Sequence, residues 1–552
     1  MMDAFTPAQV RERMQLSVSA NGGHLASSLG AVELACALVE VFDPTVDRIV
    51  WDVGHQAYAW KILTDRAMRF RTLRQHGGLA PFLNPAESVA DAFISGHAGV
   101  ALAAAEGLAA GEALQERSGQ VVAVVGDASL VNGESLEALR NLVDFNRKVT
   151  VVVNDNGPET ADHCHLLGKG FFEAFGLPYL GPVDGHDVSA LVEALSVAKA
   201  SAMSMVVHVL TKKGKGFPPA EADPVAWHSV PPFDLNAASL AAGDDGRHAS
   251  PLAPTSGEQV SRTWSACFGA AMVEAAQKDG RVCAVVAAMK EGTGLSAFAE
   301  RFPDRFFDVG ICEEMAVTFA AGLAKAGMKP VVAIYSTFLQ RAVDQIQHDV
   351  CLQRLPVVFA IDRAGCVGAD GATHHGLFDI PLLRPLTGMR IVAPTCAEEL
   401  EGLLAEALAA DGPVAIRYPK GIAPSALTLS VDGSGAEVLI CAVGNQVAKA
   451  TMVRRFLAAK GICADVVPVC RVKPAFADDG VAVRKRDQAE GRLTVTLEDG
   501  AVIGGFGESI GADLRFGWPD AVIGHGPVEA LEREFGFDAE SVAEAICRRV
   551  GK

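Results

Sequence analysis

Short apolar runs alternate with amphipathic, helix-like stretches along most of the chain. The runs are five or six residues long and rich in valine, isoleucine and alanine, and they lie at residues 121–125, 149–153, 206–210, 282–286, 330–334, 357–361, 438–443, 464–469 and 493–497. Such alternation is typical of parallel sheets covered by helices on both faces. The pattern therefore predicts an α/β protein with mainly parallel sheets.

Two polar stretches of small residues divide this pattern into three α/β domains. The first covers about residues 236–259 and contains Pro-Leu-Ala-Pro-Thr-Ser-Gly, and the second covers about 422–436 and contains Ser-Val-Asp-Gly-Ser-Gly. Neither has a helical or strand period, which is typical of linkers. The predicted domains are residues 1–235, 260–421 and 437–552.

Composition agrees with this architecture. A chain of 552 residues is too long for one hydrophobic core, and 50% apolar residues suffice for large buried sheets. A net charge of −18 argues against nucleic acid or an anionic membrane as a partner. The twelve cysteines include no Cys-x-x-Cys pair, so reduced thiols are expected. Arg11, Glu12 and Arg13 interrupt any apolar leader, so we expect a cytoplasmic protein.

Two of the apolar runs end in residues that suit a metal site. Asp127 follows the run that ends at Gly126, and Asn156 ends the next predicted strand. Because the carboxyl ends of parallel strands meet at one edge of a sheet, the two side chains should lie together. A carboxylate, an amide oxygen and a backbone carbonyl, that of Pro158, suit Mg²⁺ that also binds phosphate. The alternative is an ordinary turn, since Gly-Asp is common after strands.

The spacing of Gly126-Asp127 and Asn156 resembles the signature of thiamine diphosphate enzymes. Other motifs narrow the resemblance to the transketolase-like 1-deoxy-D-xylulose-5-phosphate synthase family. They are Gly23-His24-Leu25-Ala26-Ser27, Trp51-Asp52-Val53-Gly54-His55-Gln56-Ala57-Tyr58, Gly96-His97, Gly181-Pro182-Val183-Asp184-Gly185-His186-Asp187, Thr211-Lys212-Lys213-Gly214, Ala288-Met289-Lys290-Glu291-Gly292, Tyr335-Ser336-Thr337-Phe338-Leu339-Gln340-Arg341, and Ile361-Asp362-Arg363-Ala364-Gly365 through Gly368-Ala369-Asp370-Gly371 with His374. The resemblance covers roughly residues 15 to 545.

The resemblance implies an enzyme that depends on thiamine diphosphate and Mg²⁺. It would condense pyruvate with D-glyceraldehyde 3-phosphate, releasing CO₂ and forming 1-deoxy-D-xylulose 5-phosphate, the first step of the methylerythritol phosphate route to isoprenoids. The cofactor would carry the carbanion chemistry, and the protein would supply orientation and charge placement. Family members are homodimers, so we expect a homodimer with no nucleic-acid or membrane partner.

The resemblance also assigns the residues around the cofactor ring. Glu313 would be the carboxyl group against the aminopyrimidine, and Phe338 would stack on that ring. Acidic residues in a first helical turn can instead favour the helix dipole, an interpretation that fits Glu314 better than Glu313. An aromatic residue between a strand and a helix is otherwise often plain core.

Positive charge for a phosphorylated substrate is expected from arginines. Arg363 and Arg417 follow predicted strands and match family residues that hold the phosphate of glyceraldehyde 3-phosphate. Arginine forks bind phosphate in a bidentate way, although a lone arginine more often makes a surface salt bridge. Arg341 would join this pocket or hold it in place, and Tyr335 would accompany it.

Five histidines fall in matching motifs and suit proton transfer near neutral pH. The resemblance puts His24, His97, His228 and His374 nearest the reacting atoms, with Asp370 orienting His374 or the aldehyde. His55 would hold the diphosphate end or its neighbouring loop. Single histidines are usually structural. The number of histidines in matching motifs does not show which of them contact substrate. Gly96, Ala128 and Ser129 complete the expected cofactor contacts.

The chain departs from the family pattern at several of these motifs. Ala128 and Ser129 follow Asp127 where a second glycine is usual, Ala98-Gly99-Val100 replaces hydroxyl residues, Gly157-Pro158 replaces Glu-Met, and Glu314-Met315 replaces Gln-His. The segment at about 159–170 is far shorter than the connection that is typical of the family at this point. Either it was trimmed by engineering or the chain is a compact natural branch. The substitutions around the segment favour the natural branch. These departures leave two alternatives: a transketolase-type carboligase with another donor or acceptor, or a weakly active cofactor-binding regulatory paralogue.

Overall fold

The structure is a computed structural model that describes residues 5–145, 147–157, 167–241, 263–426, 436–474 and 491–551. Most of both predicted linkers, Pro158 and most of the short 159–170 segment lie outside the described residues. The chain divides into two compact units, residues 1–256 and 257–552. The second unit therefore contains the second and third predicted domains together.

The first unit is built on one five-stranded parallel sheet. Its strands are β1 (Arg48–Trp51), β2 (Val121–Gly126), β3 (Thr150–Asp155), β4 (Tyr179–Asp184) and β5 (Met205–Leu210). They pair in the order β1-β2-β3-β5-β4. Its helices are α1 (Pro7–Asn21), α2 (Leu25–Gly30), α3 (Val32–Val41), α4 (Tyr58–Lys61), α5 (Ala101–Leu114), α6 (Asp127–Leu130), α7 (Gly133–Asp144), α8 (Lys169–Ala174), α9 (Val188–Ala200), α10 (Pro218–Ala222) and α11 (Leu235–Ala241).

The second unit contains a seven-stranded and a four-stranded sheet. The strands are β6 (Val282–Val286), β7 (Phe306–Asp308), β8 (Lys329–Tyr335), β9 (Val358–Asp362), β10 (Arg390–Val392), β11 (Val414–Arg417), β12 (Val438–Val443), β13 (Ala464–Val469), β14 (Arg471–Lys473), β15 (Leu493–Ala501) and β16 (Leu514–Trp518). The orders are β14-β10-β11-β9-β8-β6-β7 and β13-β12-β15-β16. Every pairing is parallel except that of β14 with β10.

Helices surround these two sheets. They are α12 (Trp264–Lys278), α13 (Ser296–Arg301), α14 (Glu313–Lys325), α15 (Ser336–Leu339), α16 (Val343–Gln345), α17 (Asp379–Leu383), α18 (Ala397–Leu408), α19 (Val447–Ala459), α20 (Phe506–Ser509), α21 (Val528–Glu534) and α22 (Ala539–Val550). Strand β14 belongs to the predicted third domain but extends the sheet of the second. This shared sheet explains why the two predicted domains form one compact unit.

Both faces of the central strands are buried, as predicted for parallel sheets. In β2, Val122 and Val124 belong to one hydrophobic core, whereas Val121, Ala123 and Val125 belong to a second core on the opposite face. Strands β8 and β9 alternate in the same way between two cores. The predicted α/β class with mainly parallel sheets is therefore confirmed, and each of the nine predicted runs contributes to a strand.

Seven described strands lie outside the nine runs, namely β1, β4, β7, β10, β11, β14 and β16. All except β10 and β11 lie at the edge of a sheet. An edge strand needs less apolar surface than a central one, and three of the seven are only three residues long. In the described parts of the chain, no helix combines the length and the apolar composition that a membrane span requires.

Glu106 is a buried acid within α5 and lies outside every predicted site. Its side chain is only 7% exposed, and its Oε1 accepts no hydrogen bond from a described residue. Burial raises the pKa of Glu106 to about 7. Because the folded-state pKa exceeds that of the unfolded chain, the protonated form contributes stability below about pH 4.5, and this contribution disappears as pH rises through about 7.

We expect Glu106→Gln to remove this pH dependence. The wild-type thermal midpoint should fall relative to that of Glu106→Gln between pH 5 and pH 8, by the equivalent of about 3 kcal/mol at most. The measurement is thermal denaturation of both proteins across that range, with the exposed Glu137→Gln as the control. Parallel pH profiles for wild type and Glu106→Gln would contradict the expectation.

Candidate active site

The carboxyl edge of the first sheet brings together two predicted metal ligands. Strands β2 and β3 are adjacent, with Gly126 opposite Asn154, so Asp127 and Asn156 follow neighbouring strand ends. A side chain at Gly157 would put its Cβ only 3.1 Å from Asp127 Oδ2, so the loop after β3 passes beside this carboxylate. The two residues therefore lie at one sheet edge, as the strand pattern predicted.

Asp127 is the carboxylate at this edge whose surroundings suit a cation. Burial raises its pKa and nearby Asp155 adds to the rise, whereas Lys213 opposes it. Asp155 itself accepts hydrogen bonds from Gly157 N at 3.2 Å and from His208 Nε2 at 3.0 Å. Among the described residues, no three His, Cys, Asp or Glu side chains converge as metal ligands. A cation here would depend on the predicted mixed set of carboxylate, amide and carbonyl oxygens.

Three of the predicted histidines form a cluster in the first unit. The ring centroids are 6.2 Å apart for His24 and His55, 5.7 Å for His24 and His228, and 5.4 Å for His55 and His228. Burial lowers the pKa of His228 to about 4 and that of His55 well below its usual value, and Lys213 contributes to both. Both rings are therefore neutral near pH 7. The buried His55 Nδ1 has no hydrogen-bond partner among the described residues.

The loop that carries Gly96 and His97 is held by hydrogen bonds to a residue at the end of β1. Asp52, just past this strand, accepts hydrogen bonds from Gly99 N and Ala101 N, both at 3.0 Å. Gly96 has a φ of 152°, which residues with side chains rarely adopt. His97 is half-buried on this loop. The backbone of the Ala-Gly-Val replacement is thus held by the Asp52 carboxylate and by the Ser135 hydroxyl, which donates to Gly99 O at 3.4 Å.

Lys213 is a residue for which the sequence indicated no role. It is half-buried on the segment after β5, and its ammonium makes no ion pair with another described residue. Its charge acts on Asp127, His55 and His228. The only signal for it was the Thr-Lys-Lys-Gly motif. Ala128 is exposed and Ser129 is buried at the start of α6.

In the second unit, Glu313 begins α14 as a buried carboxyl group. Its Oε2 accepts no hydrogen bond from a described residue, and Arg341 Nη1 lies 3.8 Å from it. Burial raises the pKa of Glu313, and the Arg341 charge opposes the rise. The side chain of Glu314 is 35% exposed, and its carboxylate lies 3.9 Å from Arg341 Nε. The surface first-turn interpretation therefore applies to Glu314 and does not fit Glu313.

Aromatic rings and a histidine gather at the end of β8. Tyr335 and Phe338 stack with centroids 5.8 Å apart and planes 15° apart. His374 meets the edge of Phe338 at 5.5 Å, and its Nδ1 lies 2.9 Å from Thr373 Oγ1. Three predicted site residues from separate motifs are thus brought together.

Arg363 lies directly after β9 with its guanidinium 4.0 Å above the Tyr335 ring. Its Nη1 donates to Gly292 O at 2.6 Å and Ser265 Oγ at 3.0 Å, and lies 2.8 Å from Asp362 Oδ2. The residue has a φ of 57°, an uncommon backbone conformation. These contacts hold a cation at the strand end with part of its side chain still exposed.

The placement of Arg417 argues against its predicted role in binding substrate phosphate. The side chain is 3% exposed, and its Nε donates to Asp379 Oδ2 at 2.7 Å. Its Nη2 donates to Asp499 O at 2.7 Å and to Asp379 Oδ1 at 3.3 Å. The guanidinium is therefore buried, and the hydrogen bonds to Asp379 and Asp499 occupy its Nε and Nη2 donors. Lys420, three residues later, is 47% exposed and pairs with Asp370 at 2.9 Å.

The predicted third domain supports the segment that carries Asp370 and His374. Cys366 N donates to Asp499 Oδ1 at 3.0 Å. Val367 N donates to His375 Nδ1 at 3.1 Å, so the His375 proton lies on Nε2, which donates to Gly524 O at 2.8 Å. This segment is therefore anchored on Asp499 within β15 and on Gly524 after β16.

Comparison with protein-family models covers most of the chain. Residues 5–167 and 159–211 match the model described as 1-deoxy-D-xylulose-5-phosphate synthase. Residues 260–425 match the transketolase pyrimidine-binding domain, and residues 428–542 match the transketolase C-terminal domain. The first match comes in two pieces, which overlap within the short 159–170 segment.

Curated relatives resemble the chain over almost its full length. The 1-deoxy-D-xylulose-5-phosphate synthase 2 of Geobacter sulfurreducens is 42% identical, over 98% of this chain and 95% of the relative. The 1-deoxy-D-xylulose-5-phosphate synthases of Symbiobacterium thermophilum and Aquifex aeolicus are 42% and 39% identical, over 97% and 98% of this chain and 90% and 94% of their own lengths. The first alignment spans 612 positions against 552 residues, so at least 60 positions (612 − 552) have no residue of this chain.

We expect Arg417→Met to destabilise the protein strongly. The change leaves the Asp379 carboxylate buried without its guanidinium, which costs about 3–5 kcal/mol. Thermal denaturation should therefore show a lowered midpoint, most of which the double variant Arg417→Met/Asp379→Leu should restore. Lys420→Met serves as the exposed control and should stay within about 0.5 kcal/mol of wild type. A normal midpoint for Arg417→Met would return this arginine to the list of substrate ligands.

Proposed function

Since this chain belongs to the 1-deoxy-D-xylulose-5-phosphate synthase family, we propose that it condenses pyruvate with D-glyceraldehyde 3-phosphate to give 1-deoxy-D-xylulose 5-phosphate and CO₂. The protein is an enzyme, a transferase of the transketolase type, and its domains imply dependence on thiamine diphosphate. Its product would be the first intermediate of the methylerythritol phosphate route to isoprenoids.

The observation that carries this proposal is the buried Glu313 carboxyl group. Its Oε2 lies in the interior without a hydrogen bond from a described residue, which is costly unless a ligand supplies one. Its raised pKa suits a group that shares a proton with a ring nitrogen. When bound, thiamine diphosphate supplies the nucleophile and the electron sink for decarboxylation. Glu313 would hold the aminopyrimidine, with Phe338 beside that ring and Arg341 orienting the carboxylate.

The diphosphate end of the cofactor would be held by residues of the first unit. Asp127, Asn156 and the carbonyl of Pro158 would bind Mg²⁺, whose charge would offset the burial of the Asp127 carboxylate. Lys213 and the buried His55 suit phosphate oxygens. Gly96, Ala128 and Ser129 remain the expected backbone contacts.

Substrate phosphate would be held by Arg363 together with Lys420, which replaces Arg417 in this role. Arg363 is fixed by Ser265 and Gly292, and Lys420 is the exposed cation paired with Asp370. Anion binding needs such a local basic pocket in a chain of net charge −18.

The histidines would move protons on substrate oxygens. His228, which burial keeps neutral, can accept a proton, and His24, His97 and His374 remain candidates for the same work. Tyr335 would line the pocket, with its pKa raised by burial so that its hydroxyl stays protonated. A homodimer acting in the cytoplasm stays a prediction.

We expect Glu313→Gln to abolish product formation while the protein remains folded. Loss of a positioned proton-sharing group should lower the rate about 10²–10⁴-fold. The measurement is mass spectrometry of 1-deoxy-D-xylulose 5-phosphate formed from pyruvate, glyceraldehyde 3-phosphate, thiamine diphosphate and Mg²⁺. Glu314→Gln, at the half-buried neighbouring residue, is the matched control and should retain near-normal turnover. Full activity of Glu313→Gln would overturn the assignment, and no product from wild type would redirect the search to other donors and aldehydes.

We expect Lys420→Ala to raise the KM for glyceraldehyde 3-phosphate about 10-fold or more, because a charged hydrogen bond contributes about 1.5–3 kcal/mol. The KM for pyruvate should stay unchanged, because pyruvate has no phosphate group. Steady-state kinetics with each substrate varied in turn test this, with the exposed Lys325→Ala as the control. An equal rise in both KM values would indicate a disturbed site rather than a phosphate contact.

A further inference from the structure

The Gly185-His186-Asp187 motif has no part in the chemistry proposed above, yet His186 makes a specific set of contacts. It follows β4 and is mostly buried. The backbone N–H of Lys212 donates to His186 Nε2 at 2.9 Å. A backbone amide can only donate, so Nε2 carries no proton and the ring proton lies on Nδ1. That Nδ1–H donates to Glu33 Oε2 at 3.1 Å.

Glu33 connects His186 to Arg11. Both carboxylate oxygens accept from the guanidinium, with Oε1 2.6 Å from Nη1 and Oε2 2.7 Å from Nη2. Burial tends to raise the pKa of Glu33, but hydrogen bonds from His186 and Arg11 and the Arg11 charge outweigh it and hold the pKa at about 2. The carboxylate is therefore charged at neutral pH and fully engaged by two partners.

Arg11 then returns to the same segment of chain as His186. Its Nε donates to Lys215 O at 2.9 Å. The segment of residues 211–216, which we call the lysine loop, is thus bound at Lys212 by His186 and at Lys215 by Arg11. Gly214 N also donates to Ala26 O at 2.8 Å. Lys213 lies between the first two anchors, directly after Lys212.

The network holds the backbone of a segment that carries a positive charge, the ammonium group of Lys213. A lysine side chain has four rotatable bonds and a compact ammonium, so its position depends on where its backbone is held. The lysine loop leaves β5 at the same sheet edge as Asp127, because Thr211 N donates to Asp155 O at 2.9 Å and Thr211 Oγ1 donates to Asn154 Oδ1 at 2.5 Å. Lys213 follows two residues later, and its charge contributes to the lowered pKa values of His55 and His228. Removing one partner of the buried Arg11–Glu33 pair would free the loop on one side of Lys213.

We propose that His186 is a positioning residue, which with Glu33 and Arg11 holds the backbone of the lysine loop so that Lys213 presents its ammonium to a diphosphate group. This inference rests on the proposed function, because the diphosphate is that of thiamine diphosphate. His186 touches no reacting atom and acts only through Lys213.

Two substitutions of His186 separate the contacts it makes. The amide of His186→Gln extends to where Nε2 lies, so its oxygen can still accept from Lys212 N. The shorter amide of His186→Asn reaches only the Nδ1 position, so it keeps the bond to Glu33 and loses the bond to the lysine loop. The second variant should therefore disturb Lys213 while leaving the Arg11–Glu33 pair in place.

The test is the dissociation constant of thiamine diphosphate with Mg²⁺ for the full chain, by titration calorimetry without substrates. We expect His186→Asn and Lys213→Met each to weaken binding about 10-fold, and His186→Gln to stay within about threefold of wild type. Thiamine, which lacks the diphosphate, should bind all variants alike. The exposed His348→Asn is the control, and thermal midpoints report on folding.

The double variant His186→Asn/Lys213→Met gives the decisive comparison. If His186 acts through Lys213, the double variant binds no more weakly than Lys213→Met alone, because coupled residues are not additive. Multiplying effects, or unchanged affinity of His186→Asn with only a lower thermal midpoint, would overturn the positioning role and leave the proposed function intact. Absence of thiamine diphosphate binding by wild type would overturn the proposed function and this inference together.

Discussion

Charge held at the carboxyl ends of buried parallel strands is the constraint on which this structure depends. Because the central strands are covered on both faces, polar side chains that do chemistry must lie where the strands end. Asp127 follows β2 and Arg363 follows β9, in different units, and both are largely removed from water. Burial strengthens their effect on a bound anion or cation, but it requires that each has partners in the protein or in a ligand.

Three networks around buried charges each fix a length of backbone. Arg417 joins Asp379 to the carbonyl of Asp499, and the Asp499 carboxylate accepts from Cys366 N and Trp518 Nε1. Arg363 joins β9 to the loop at Gly292, and Glu33 joins the lysine loop to α1. Some residues that the sequence predicts to bind substrate are thus already paired inside the protein. The side chains that can bind a ligand are those with an unpaired polar atom or an exposed charge.

Glu313 and Arg417 match family motifs equally well, but the fold gives their side chains different surroundings. The motif around Glu313 predicted the carboxyl group that meets the aminopyrimidine, which stays a prediction, and the fold buries this carboxyl group with one oxygen that accepts no hydrogen bond from a described residue. Arg417 satisfied the same kind of reasoning, since it ends a strand and matches a family arginine. Its side chain nevertheless enters the core beside Asp379, a residue 38 positions earlier whose proximity no local pattern reveals.

The sequence by itself determined the α/β class, nine of the strands and the family, because apolar periodicity and motif order are local properties of the chain. It also determined which strand ends carry candidate ligands. Only the tertiary structure decided which face each side chain takes, which of Arg417 and Lys420 stays exposed, and that the lysine loop is held by Arg11 from about 200 residues away. These outcomes depend on contacts between distant segments and on the energetic cost of burying charge, which appear only once the chain has folded.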